Sequence, residues 1–184
     1  MRYSYRPSQL LNRSEKQFRM QCYHEAGHAL VAWWQGLKVE FVYPQIANSK
    51  GDASLFVHKP TLAARPRVND VIQRCRLTEK RVRICLAGPI AEIESGLVGL
   101  DEMTLNTDFE AASTLLARIE TDCVERNAMM ETLYEQTATF IDQRMPQLTR
   151  LASRLLIDEY LDADDMGEML GGPRMMFDVI RVER

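Results

Sequence analysis

The first strongly patterned stretch of the chain runs from Ser14 to Gly36. Apolar residues recur in it at helical spacing and form one side of a helix: Tyr23, Ala26, Ala29, Leu30 and Trp33. Ser14 to Gln17 has the form of a capping box, in which both side chains bind free backbone amides at a helix start. Gly36 is suited to a left-handed cap at the other end. The pattern therefore predicts an amphipathic helix between these two caps.

Two short stretches of β-type sequence follow this helix. Residues 38–43 alternate between apolar and polar side chains, and residues 53–58 form a second β-rich run after a Gly51-Asp52 turn. Residues 60–67, which include two prolines, are expected to form a loop. We therefore expect a small sheet in this part of the chain.

The next helical pattern is long. It predicts a helix over residues 68–94, which Gly96 ends and in which Pro89 should produce a kink. Residues 97–106 are expected to connect this helix to the next one.

The second half of the sequence is helical throughout. A second capping box opens at Thr107 and predicts a helix that extends to about residue 127. Two further helices, split near Pro146, and a short helix after Asp164 complete the expected domain, with residues 171–184 as a C-terminal tail. The predicted fold class is mainly α with a small β-sheet (α+β).

Length, composition and charge indicate the general class of protein. The 184 residues, of which 46% are hydrophobic, fit a single domain over 1–184 with a core over about 15–170. The net charge is −3, whereas a surface that binds nucleic acid is usually strongly basic, so we do not expect the chain to bind nucleic acid. No apolar run approaches the roughly 20 residues of a membrane span, and the N-terminus lacks a signal core. Four cysteines without a Cys-x-x-Cys pair are typical of reduced thiols, so we expect a cytoplasmic protein.

Candidate chemistry is concentrated in the His-Glu-Ala-Gly-His motif from His24 to His28. Residues i and i+4 share a helix face, so both imidazoles can be directed at one metal ion. Glu25 lies about 100° around the helix, where it can accept a proton from a water molecule that the metal activates. The chain has three histidines, and two of them stand at this spacing. The motif therefore predicts a zinc site with Glu25 as the general base.

The motif does not fix the third ligand. A catalytic zinc uses three protein ligands and keeps an open position for water. Position 34 is Trp34, so the third histidine of the metzincin pattern is absent. Cys22 lies two residues before His24 and should point to the opposite side of the helix. Spacing leaves the choice open between three residues: Asp108, Glu92 and His58.

Four segments stand in a fixed order along the chain: YHEAGHALVA at 23–32, LAGPIAE at 86–92, LNTDFEAA at 105–112, and a helical stretch over about 132–170 that includes YLDADDM. Together they resemble the peptidase domain of the FtsH-type ATP-dependent zinc metalloproteases. The segments are similar, in order, to that family's zinc-binding helix, its Gly-Gly-Arg-x-Ala-Glu helix, its Ser-Asn-Asp-x-x-x-Ala segment and its terminal helices. The resemblance covers roughly residues 15–170.

The resemblance implies a zincin-like peptidase fold and a set of roles. Zn²⁺ would be bound by His24, His28 and Asp108, because Asp108 matches the family's third ligand. Glu92 would orient an imidazole from behind the ligands. The strand at 53–58 would pair with the backbone of an extended substrate.

The sequence also departs from the family. Pro89 stands in place of the family's Arg, Gly88 is the one retained glycine of its Gly-Gly pair, and Thr107 replaces the Asn before the ligand Asp. The sequence contains no Gly-x-x-x-x-Gly-Lys-Ser/Thr phosphate loop, so it resembles the peptidase half alone. Besides a polypeptide substrate, the expected partner is therefore a separate ATPase or further copies of the chain in a ring.

We therefore expect a zinc metalloendopeptidase that hydrolyses peptide bonds of unfolded or flexible polypeptides, with Glu25 as general base. Two alternatives stand beside it. One is a stand-alone regulatory protease specific for one protein, and the other is a non-catalytic adaptor or regulator that keeps the peptidase fold. The intact Glu25 favours an enzyme, since a binding module has no use for a general base.

Overall fold

The structure is a computed structural model that describes residues 15–37, 39, 41–44, 71–97 and 107–171. Within these ranges it is mainly helical with one small two-stranded sheet, which confirms the predicted mainly α class. The elements, in chain order, are α1 (Glu15–Trp34), β1 (Phe41–Val42), α2 (Val71–Glu94), α3 (Thr107–Leu116), α4 (Cys123–Asp142), α5 (Met145–Asp158), β2 (Leu161–Asp162) and α6 (Ala163–Leu170).

The first helix ends at a hydrogen-bonded glycine turn, as predicted. Gly36 has a φ of +72°. Its N–H donates to the Trp33 carbonyl, and the N–H of Leu37 donates to the Ala32 carbonyl, each at 3.0 Å. These two bonds form a Schellman motif, which satisfies carbonyls that the helix end leaves without partners. The helix begins at Glu15, and the Ser14 end of the predicted capping box lies outside the described residues.

The second helix ends where the sequence predicted. It stops at Glu94, and Gly96 follows with a φ of +69°. The helix continues through Pro89, which is buried. The kink expected at Pro89 stays a prediction.

Helices α1 and α2 form the centre of the fold, and they approach closely at Gly27. A Cβ at this position would lie 2.5 Å from the Ala87 carbonyl oxygen and 2.6 Å from the Ala91 Cβ. Glycine is therefore required for the two backbones to pack at this distance. Helix α5 also packs on α1, while α3 and α4 pack on α2.

The hydrophobic core lies between these helices. Its largest fully buried apolar side chains come from all six described helices and β2: Val31, Val82, Leu86, Ile90, Leu116, Ile141, Leu148, Leu151, Leu155, Leu161 and Met166. Burying one such side chain contributes about 1.5–3 kcal/mol relative to leaving it in water. The core therefore fixes the mutual positions of α1, α2 and α3, which carry the residues of the predicted site.

The sheet joins two distant parts of the chain. β1 pairs antiparallel with β2, with Phe41 opposite Asp162 and Val42 opposite Leu161. Asp162 also caps α6, because its Oδ1 accepts hydrogen bonds from two backbone N–H groups of the first turn. The predicted strand at 53–58 and the loop at 60–67 lie outside the described residues.

The helix predicted from Thr107 to about residue 127 is wrong in its length. α3 ends at Leu116, and α4 begins at Cys123. Asp122 caps the new helix, since its Oδ1 accepts hydrogen bonds from the N–H groups of Val124 at 2.8 Å and Glu125 at 3.1 Å. No glycine or proline marks this break, so the helical pattern alone does not reveal it.

The later helices follow the sequence pattern more closely. α4 and α5 are separated near Pro146, as predicted, and Pro146 lies in the first turn of α5. The short helix expected after Asp164 is α6. The structure describes residues only to 171, so the tail to residue 184 lies beyond it. Of the helices it does describe, none is both long and apolar enough to cross a membrane.

Candidate metal centre

The two histidines of the motif lie on α1, where that helix faces α2 and α3. His28 is buried and His24 is nearly so, with 12% of its side chain exposed. Their Nε2 atoms lie 3.0 Å apart. Because neighbouring nitrogens at this distance cannot both carry a hydrogen toward each other, at least one presents its lone pair to the other. The helical spacing therefore directs both imidazoles at one point, as the sequence indicates.

Asp108 reaches the same point from the first turn of α3. Its side chain is buried, with 7% exposed. Its Oδ2 lies 3.0 Å from the His24 Nε2 and 3.4 Å from the His28 Nε2. Of the three residues between which spacing left the choice open, Asp108 is thus the one that the structure brings to both histidines.

The other nitrogen of each imidazole is held by α2. The Nδ1 of His24 lies 2.7 Å from the Glu92 Oε1, and the Nδ1 of His28 lies 2.6 Å from the Ile84 carbonyl oxygen. Each of these oxygens accepts a hydrogen bond from an Nδ1–H group, which directs the Nε2 atom of the same ring toward the metal site. Glu92 accordingly lies behind His24 and is not among the three converging ligand atoms.

The three converging atoms fit a zinc ion in type and spacing. Two imidazole nitrogens and one carboxylate oxygen form a common ligand set for zinc. Four tetrahedral ligands with bonds of about 2.0–2.1 Å lie about 3.3 Å from one another. The three atoms here are separated by 3.0, 3.0 and 3.4 Å. Among the described residues, His24, His28 and Asp108 therefore form a group that could hold a metal ion.

His24 and Asp108 each shift the pKa of the other. Burial lowers the pKa of His24, but the carboxylates of Asp108 and Glu92 outweigh burial and raise it to about 10. Burial raises the pKa of Asp108, but hydrogen bonds to His24 and His28 outweigh burial and hold it well below its usual range. In the absence of a metal the site thus attracts a proton, and it is the same negative field that would attract a cation.

Glu25 is buried on α1 beside the two histidines, with 8% of the residue exposed. Burial raises the pKa of its carboxyl group, and the nearby His28 and His24 offset part of this effect. A raised pKa brings a carboxylate closer to the working range of a general base at neutral pH. Glu25 is not in the group of converging ligand atoms, which agrees with a role other than ligand.

Cys22 and His58 are the other two side chains that stood as possible ligands. Cys22 is a buried core residue of α1 and is not in the group of potential ligands. His58 lies outside the described residues. The Ile84 carbonyl is a functional group that sequence reasoning missed, since a backbone oxygen carries no signature in the sequence.

Tyr43 is a second residue that the sequence did not single out. It directly follows β1 and is partly buried. Burial and the charge of Glu25 raise the pKa of its phenol. The phenol therefore stays protonated at neutral pH and able to donate a hydrogen bond. No pattern of neighbouring residues would have linked Tyr43 to Glu25.

Comparison with protein-family models finds no model that matches the chain. Comparison with curated proteins finds no matching protein.

Proposed function

We propose that this chain is a zinc-dependent endopeptidase with a zincin-like domain of the FtsH type. His24, His28 and Asp108 would bind the zinc ion, and Glu25 would act as the general base. The single observation that carries this proposal is the convergence of the three ligand atoms, at separations of 3.0, 3.0 and 3.4 Å, beside a buried glutamate.

Each residue has a defined part in peptide hydrolysis. A zinc ion in this site would supply a Lewis acid that polarises the scissile carbonyl and lowers the pKa of a water molecule toward about 7. Glu25 would accept a proton from that water as it attacks, and would then deliver the proton to the leaving amine. Glu92 and the Ile84 carbonyl hold the imidazoles in place while this occurs.

The proposed substrates are unfolded or flexible polypeptides. An extended substrate would bind as an added strand, through main-chain hydrogen bonds that tolerate many sequences. A separate ATPase, or a ring of further copies of this chain, would be the partner that delivers folded proteins. We place the protein in the cytoplasm on the basis of its cysteine usage.

Zinc removal and the substitution Glu25→Gln together test this proposal. Chelator-treated protein should fail to cleave casein, and restoring one equivalent of zinc should restore cleavage. Glu25→Gln should keep its zinc and lose at least 100-fold in cleavage rate, because the amide cannot accept a proton. Full activity of Glu25→Gln, or full activity of the zinc-free protein, would rule the mechanism out. Zinc binding without cleavage by the wild-type protein would favour the adaptor.

A further inference from the structure

Gly88 lies on α2 directly against the two histidines of the site. It is buried. A Cβ built at this position would lie 2.6 Å from the His28 Nε2 and 2.7 Å from both the Nε2 and the Cε1 of His24. These separations are well inside van der Waals contact, and two of the three atoms are the nitrogens that face the metal. The smallest possible side chain at residue 88 would therefore collide with the ligands.

The position of Gly88 along α2 explains this contact. Ile84, Gly88 and Glu92 follow one another at four-residue spacing, so they lie along one face of the helix. The Ile84 carbonyl holds His28, and the Glu92 carboxylate holds His24. Gly88 stands between these two contacts, where it leaves the space that both imidazole edges occupy.

Gly27 provides a comparison within the same helix pair. A Cβ at Gly27 would meet the backbone oxygen of Ala87 and the Cβ of Ala91, neither of which can move without moving α2. The three atoms nearest to a Cβ at Gly88 all belong to the ends of two side chains, which can rotate away. The two glycines therefore differ in what they permit: Gly27 permits the helices to pack, and Gly88 permits the imidazoles to converge.

We propose that Gly88 is a positioning residue of the metal site, whose missing side chain holds the two ligand imidazoles in their convergent arrangement. This inference rests on the part of the proposed function that concerns metal binding, and not on peptide hydrolysis. A larger residue at position 88 displaces His24 and His28 from their α2 partners and disperses the ligand set, while the fold of the domain persists.

The test is a comparison of three glycine-to-alanine variants of the full chain. Gly167→Ala is the matched control, since a Cβ at Gly167 in α6 would meet only the Trp33 Cη2, at an ordinary 3.9 Å. Zinc affinity is measured by competition with a chromophoric chelator. Thermal stability is measured separately in excess chelator, so that the fold and the site are assessed independently.

Gly88→Ala should lose at least tenfold in zinc affinity, the smaller end of the range for residues that orient ligands. Without metal it should remain folded and melt above Gly27→Ala, although separating His24 from Asp108 removes an ion pair that stabilises the metal-free protein. Gly27→Ala should melt at a clearly lower temperature in chelator. Gly167→Ala should match wild type in zinc affinity and melt no lower than wild type, because alanine is favoured over glycine within a helix by about 1 kcal/mol. In metal-free Gly88→Ala, the downfield NMR signals of the two Nδ1–H protons should also be lost.

Two results would overturn this inference alone. One is wild-type zinc affinity in Gly88→Ala, and the other is a Gly88→Ala protein that fails to fold or melts as early as Gly27→Ala without metal. Wild-type protein that is folded and takes up no zinc would overturn both this inference and the proposed function.

Discussion

At the scale of single residues, the two carboxylates that contact His24 occupy different places. Asp108 lies 3.0 Å from its Nε2, on the side where both imidazoles converge, whereas Glu92 lies 2.7 Å from its Nδ1, on the opposite side of the ring. The first position suits a metal ligand, and the second suits a group that orients the imidazole. The family resemblance implied the same division, and the distances give it a physical basis.

Substitution should separate these two roles. Glu92→Ala should lower zinc affinity or activity by about 10- to 100-fold, as is typical for groups behind a ligand. Asp108→Ala should lower zinc affinity further, because it removes one of three proposed ligands, and it should abolish hydrolysis. His58→Ala is the control and should retain zinc. Isothermal titration with zinc would rank the zinc affinities of the three variants. Retention of zinc by Asp108→Ala, together with its loss in Glu92→Ala, would reverse the two roles.

The metal-free site should hold a proton at neutral pH. The pKa of His24 is raised from 6.5 to about 10, so its imidazole should remain doubly protonated at pH 8 until zinc displaces the proton. Nitrogen-15 NMR of the three imidazoles would show this directly. A His24 ring that is neutral at pH 7 in metal-free protein would contradict the expectation.

The shifted pKa values also make the stability of the metal-free protein depend on pH. A raised folded-state pKa contributes stability that is complete below pH 6.5 and is lost as the pH rises through about 10. Asp108, whose pKa is lowered, contributes stability that is lost in acid, as the pH falls below 3.8. The pair should therefore stabilise the metal-free protein most between about pH 4 and 6.5, whereas zinc binding should strengthen with rising pH because it competes with protons.

At the scale of elements, helix ends offer a test that does not involve the site. α5 ends at Asp158, and the φ of 57° at its C-cap, Glu159, places a non-glycine residue in the left-handed region. This conformation costs roughly 1–2 kcal/mol for an L-residue, and glycine adopts it freely.

Glu159→Gly should therefore raise the free energy of unfolding by up to about 1 kcal/mol. The same substitution at Glu135, an exposed residue within α4, should lower it by about 1 kcal/mol. Urea denaturation of both variants would measure the contrast. A loss of stability in Glu159→Gly equal to that in Glu135→Gly would show that the left-handed turn is not strained.

The same elements show how far sequence reasoning extends. Helix ends marked by Gly36, Gly96 and Pro146 were predicted, because glycine and proline restrict the backbone locally. The break between α3 and α4 was missed, because it depends on a single aspartate cap. The pairing of β1 with β2 was also missed, since two residues in each strand carry too little pattern to specify a long-range contact.

The sequence likewise predicted only some of the residues of the candidate site. The motif on α1 predicted His24, His28 and their common direction from helix geometry alone. The motif could not choose Asp108, because its approach depends on how α3 packs against α2. The roles of the Ile84 carbonyl and of Gly88 depend on the distance between two helices, which no local pattern in the sequence records.

At the scale of the whole molecule, the proposed peptidase acts on chains that can adopt an extended form. Global unfolding of a stable domain costs about 5–15 kcal/mol, so a folded substrate exposes an extended segment only rarely. The sequence contains no nucleotide-binding phosphate loop that would mark a motor for unfolding. The state of the substrate should therefore determine the rate of cleavage.

One substrate presented in two states tests this dependence. A stable, tailless domain should be cleaved far more slowly than the same domain unfolded by a core mutation, and ATP should change neither rate. Gel analysis of both forms over time, with and without ATP, gives the four rates. Equal cleavage of the folded and unfolded forms would indicate recognition of a surface loop, as in a regulatory protease, and strict dependence on ATP would contradict a motor-free enzyme.

The proposed function depends on the binding of one zinc ion by three side chains from α1 and α3. Elemental analysis of protein purified without chelator tests it most directly, with Asp108→Ala purified in parallel. We expect close to one zinc ion per wild-type chain and a large deficit in the variant. A wild-type protein that is folded, contains no zinc and takes up none when zinc is supplied would contradict it.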